Sequence, residues 1–211
     1  MRKLPELYVN KGLFKTILIL SICLFSLGLI LDIVNLVQTA QHYYFASNWA
    51  LYVSLFIDAI LCIGFVFASS TILLWDSDNF GGTLLYAAGL YVVISGIVSA
   101  ISGIMLSICY AEVTYAVLAI ISIIQIGIGS MGLIVRNRKP DAAKIIGIVS
   151  FFVFALNNLL TAIAYADAGQ ALFSVFLLIA IAFDVVIIVA LCKMKKANPA
   201  VAPRENDSLE R

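Results

Sequence analysis

The chain has 211 residues, of which 63% are apolar and only 12% charged, and its mean hydropathy is +1.08. Soluble domains average roughly 45–50% apolar and about 25% charged, so a soluble globular fold is excluded and a bilayer is the expected solvent. The net charge of +1 conceals an asymmetry: all thirteen Lys and Arg fall in residues 2–15, in the loop 136–144, or in the tail from Lys193 onward.

At about 20–25 residues per span, six helices use nearly the whole length and leave no room for a soluble catalytic domain. With six spans the three basic regions share one face, which the positive-inside rule makes cytoplasmic, with both termini inside. That pattern is read as topology rather than as nucleic-acid binding. Cys23, Cys62, Cys109 and Cys192 are widely spaced, with no disulfide framework or metal-ligand pattern, and read as buried small apolar residues.

Residues 1–15 are too short and mixed for a span and are expected at the inner surface, lysines toward lipid phosphate. The first span is drawn over 16–38; it is too long for a signal-peptide core, and Asp32 and Asn35 interrupt its outer part. His42, Tyr43, Tyr44, Trp49 and Tyr52 follow, amphipathic rings suited to a membrane–water boundary. The second span, 49–75, carries Asp58, and a turn rich in Asp, Asn and Gly returns the chain at the inner side.

The third span, 83–108, has Gly89, Gly96 and Gly103 at seven-residue spacing, which returns to nearly the same helix face and forms a groove for close packing. The fourth, 113–135, has Gln125 near its middle. The basic loop ends in Pro140 and Asp141, an entry signal for the fifth span, 142–166, which carries Asn157 and Asn158. The sixth, 171–192, carries Asp184. Residues 193–211 are polar and proline-containing and are expected to be a disordered cytoplasmic tail.

Two hairpins, 61–103 and 117–162, read alike, each turning at the inner face and ascending through a helix with an early glycine, Gly89 or Gly147. The stretches FASSTILLWDSDNFGGTLLYAAGLYVVISGI and IGSMGLIVRNRKPDAAKIIGIV resemble the HdeD-like family of bacterial acid-resistance membrane proteins, six-span chains built from such hairpins. The second turn carries Pro140, as is common in that family. The resemblance implies a bacterial cytoplasmic membrane and adds no catalytic residue. On topology alone the chain is also similar to the substrate-binding components of vitamin uptake systems.

Chemistry is sought inside the bundle, where Asp32, Asp58 and Asp184 are predicted to lie without a Lys or Arg at their depth. Intramembrane charge costs at least about 2.5–3.5 kcal/mol, so each acid must be protonated, hydrated or bound to a cation. At 1.5 Å per residue, Asp32, Asp58, Asn157 and Asn158 fall in one layer roughly 9–14 Å from the outer boundary. These four, with Asn35, form a candidate polar pocket for a proton, cation or small polar solute. The alternative is that each is hydrogen-bonded between helices as glue, the reading given to Gln125. Asp184 lies deeper, as a second station or another interhelical bond.

Catalysis is not expected. The run GIGSMG in the fourth span is similar to that of rhomboid-type serine proteases, but Ser130 is near the inner end and the one histidine, His42, is in the outer loop. No cofactor motif is present: one histidine and scattered cysteines make no usual metal site, and no glycine loop is followed by the Lys and Ser/Thr that hold phosphate. The expectation is an all-α polytopic membrane protein, structural or stress-related, with membrane lipid as its partner and a homo-oligomer or other membrane subunits as its assembly. The alternative is a small transporter or substrate-binding subunit.

Overall fold

The computed structural model describes residues 7–42, 45–74, 80–136, 138–167 and 171–196. It contains six long helices: α1 (Lys11–His42), α2 (Phe45–Leu74), α3 (Phe80–Tyr110), α4 (Val113–Arg136), α5 (Pro140–Asp167) and α6 (Ala171–Lys193). Each is long and apolar enough to cross a membrane. The chain is a multi-pass integral membrane protein. The inner turn at 75–79, Tyr43, Tyr44 and the tail 197–211 lie outside the described residues.

Local chemistry sets the helix ends. The Asn10 side chain accepts the Gly12 N–H at 2.7 Å, capping α1 five residues before the span drawn from sequence. Lys11 and Lys15 therefore lie on the helix itself, exposed, where their long stems follow the apolar surface. Pro140 opens α5 because its missing N–H would have no helical partner in the first turn. Ala111 closes α3 in the left-handed region (φ 54°), its N–H bonded to the Ser107 carbonyl at 2.9 Å, and leaves only Glu112 before α4. Asn48 breaks the helical path early in α2 (φ −127°, ψ 25°), and its Oδ1 accepts the Tyr110 hydroxyl at 2.9 Å. That bond fixes the α2 entry to the end of α3.

The closest helix neighbours are α1 with α2, α3 with α4, α4 with α5, and α5 with α6. Helices α2 and α3 are consecutive but touch sparsely, as do α1 and α6. The seam between the α1/α2 hairpin and the rest is filled by rings: Tyr91 of α3 packs against Phe25 of α1 (5.4 Å), Phe65 of α2 (4.9 Å) and Phe154 of α5 (5.2 Å). Large side chains hold these backbones apart while keeping the interior filled. The hairpins that look alike in sequence accordingly differ in packing: α4 and α5 pack closely, α2 and α3 do not.

The described chain ends meet at one end of the bundle. Strand β1 (Leu7–Tyr8) pairs antiparallel with β2 (Lys195–Lys196), Leu7 opposite Lys196 and Tyr8 opposite Lys195. The first residues of the expected disordered tail are thus paired backbone. Beside them the Lys144 ammonium donates to the carbonyls of Cys192 and Met194, both at 3.0 Å, capping the end of α6 from the first turns of α5. Helix α3 begins at this basic end too, its Leu84 and Leu85 buried in one cluster with Val9 and Met194. The apolar core also leans toward it, with Phe14, Leu18, Leu85, Val92, Phe151, Ile187 and Leu191 buried together among α1, α3, α5 and α6.

Candidate functional site

On α1 the residues Ser21, Gly28, Asp32, Asn35 and Thr39 recur at intervals of three, four or seven, which places them on one helix face. All but the glycine are less than a tenth exposed polar side chains. The facing stripe of α2 carries Asp58, Cys62 and Ser69. The hydroxyls of Ser21 and Ser69 are 2.9 Å apart, and the Cys62 thiol donates to Asp32 Oδ2 at 3.7 Å. Gly28 makes the approach possible, because a Cβ there would lie 3.2 Å from Cys62 Sγ and 3.0 Å from Phe176 Cζ. Asp58 sits one turn from Cys62 on the same face of α2. Two carboxylates and a thiol therefore share the α1/α2 interface, a set that can exchange a proton or attract a small cation.

The asparagines do not join them. Asn158 donates to Asp184 Oδ2 at 3.1 Å across α5/α6, and Asn157 donates to Ser122 Oγ at 3.4 Å across α4/α5. Consecutive residues on a helix point about 100° apart, so one asparagine faces each flanking helix and neither turns toward α1 or α2. The layer inferred from depth is therefore divided among three interfaces, and Asn35 stays with the acids on α1. Tyr165 of α5, two turns after Asn158, packs against Phe173 of α6 at 5.4 Å. Tyr91, packed against rings of α1, α2 and α5, stands between the two acidic neighbourhoods. Sequence reasoning passed over Tyr91, Tyr165, Cys62 and Ser122. The spacing of Cys62 four residues after Asp58 was the one signal available for any of them.

Gly89, Gly96 and Gly103 of α3 all lie against α4. A Cβ on Gly89 would meet Leu133 Cδ2 at 2.6 Å, one on Gly96 would meet Ile126 Cγ1 at 2.9 Å, and one on Gly103 the Tyr115 carbonyl oxygen at 3.0 Å. The gap at Gly96 has a further use. It uncovers the carbonyl of Val92 one turn earlier, and fully buried Gln125 donates its amide there at 2.9 Å. An unmet polar group in such an interior costs about 1–3 kcal/mol, which gives each of these bonds its value. Among the described residues, four buried side-chain atoms have no protein partner: Ser102 Oγ, Gln125 Oε1, Asn157 Oδ1 and Asp184 Oδ1.

The cysteines are free, and none is fully buried: Cys23 and Cys192 are exposed on the helix surface. That differs from the buried role expected of them, because a thiol facing lipid loses little. Among the described residues, His, Cys, Asp and Glu form no group of three able to hold a metal ion. No family model, curated protein or solved structure matches the chain.

Proposed function

We propose that the chain is a structural protein of a bacterial cytoplasmic membrane, with both termini on the cytoplasmic side, acting through helix and subunit packing and carrying no catalytic centre. The supporting observation is how its intramembrane polar groups are used. The bonds Ser21–Ser69, Cys62–Asp32, Gln125–Val92, Asn157–Ser122 and Asn158–Asp184 each tie two neighbouring helices, and together they link α1 to α2 and α3 through α6 in series. Such ties contribute about 0.6 kcal/mol each and up to about 1.7 kcal/mol, enough to fix helix rotation where lipid supplies no hydrophobic drive. The HdeD-like hairpin turns favour a stress-related setting for such a scaffold.

Thermal unfolding in nanodiscs tests this reading. Asn158→Leu strands the Asp184 carboxyl and is expected to cost about 1–2 kcal/mol, whereas Asp184→Asn keeps an acceptor for Asn158 and should be neutral within about 0.5 kcal/mol. Equal and negligible effects from both would remove the structural role of the pair.

A second reading has one observation in its favour. Asp58 stands one turn from Cys62, whose thiol bonds Asp32 across α1/α2. A transporter would use that pair to take up a proton or cation, without the asparagines.

A further inference from the structure

We propose that the α4/α5 interface contains a bound water at mid-membrane, held between Gln125 Oε1 and Asn157 Oδ1. Both oxygens belong to side chains at least nine-tenths buried, and both lack a protein partner. Their amide nitrogens are already committed, Gln125 Nε2 to the Val92 carbonyl and Asn157 Nδ2 to Ser122 Oγ. What is missing is therefore a donor for two acceptors. No Lys or Arg is near enough to supply one, because every one in the described chain lies toward the basic end.

Helix geometry makes the two amides neighbours along α4. Asn157 is seated on Ser122, and Gln125 lies three residues further along α4 on the same face, about 4.5 Å along the axis. Residues three apart on a helix are surface neighbours, so a single water with its two O–H groups turned to the two oxygens would meet the minimum of two polar partners that a buried water requires. A metal cation fits less well, since hard cations such as calcium or magnesium gather about six or more oxygens and this place offers two free ones.

A small cleft lies on the basic side of the place. This cleft of about 10 Å³, the space of one water, is lined by Gly89, Val92, Gly129, Gly132, Gly147 and Ser150. Val92 takes the Gln125 bond, and Gly129 is one turn from Gln125 toward the basic end. Glycines from α3, α4 and α5 meet there.

The wild-type protein in nanodiscs, imaged at a resolution that shows ordered water, supplies the first readout. Density within hydrogen-bond distance of both oxygens is expected; side chains closed over an empty contact would overturn the proposal, and so would density with a cation's shell of five or more oxygens. The second readout is a thermal-unfolding cycle with Gln125→Met, Asn157→Leu and the double variant. A shared water makes the double variant lose less than the sum of the single losses, and strictly additive losses would count against it.

Discussion

Ala111 is the clearest case of a residue working against its own backbone. A side chain in the left-handed region costs roughly 1–2 kcal/mol, and Ala111 adopts it (φ 54°) because the two-residue α3/α4 turn needs that conformation. Ala111→Gly is expected to raise the unfolding free energy by about 1 kcal/mol, read as an upward shift in thermal midpoint; a loss would mean that the methyl group packs usefully. At the same scale the candidate site was half legible. Rise per residue is fixed, so the depths of Asp32, Asp58, Asn157 and Asn158 follow from counting. Rotation and neighbour order do not, and these sent Asn157 to Ser122 and Asn158 to Asp184. The bond from Cys62 to Asp32 was hidden for another reason: a thiol in an apolar run looks like any other small core residue.

Along the elements, glycine spacing predicts where two helices can touch, and the backbone then decides how much each glycine matters. Gly103 faces backbone, with a Cβ lying 3.0 Å from the Tyr115 carbonyl and 3.1 Å from the Ala119 nitrogen, and neither atom can move without parting the helices. Gly103→Ala should therefore destabilise by about 1–3 kcal/mol. Gly64 and Gly127 meet nothing within 4 Å, so Gly64→Ala and Gly127→Ala should be neutral or stabilise by up to about 1 kcal/mol through helix propensity. A common response from all three variants, measured by thermal unfolding, would refute a specific α3/α4 groove. Close α4/α5 packing against sparse α2/α3 packing shows the limit of matching hairpins by composition. Similar apolar runs say nothing of which face is turned inward.

For the whole molecule, six spans were readable from hydropathy because a bilayer demands length and apolarity before anything else. The closure of the basic end was not, since the pairing of Leu7–Tyr8 with Lys195–Lys196 joins residues that are polar or mixed in sequence. Lys144→Met removes the cap on the Cys192 and Met194 carbonyls and is expected to cost about 1 kcal/mol while leaving the spans intact. The central claim is that the buried acids bind helices together rather than carry charge across the membrane. Proton flux through proteoliposomes of the purified protein, with a pH gradient and a trapped pH-sensitive dye, measures this directly. Flux no greater than in empty liposomes, unchanged by Asp32→Asn or Asp58→Asn, is the expected result; flux that requires either carboxylate would contradict the structural account and establish the α1/α2 acid pair as a transport site.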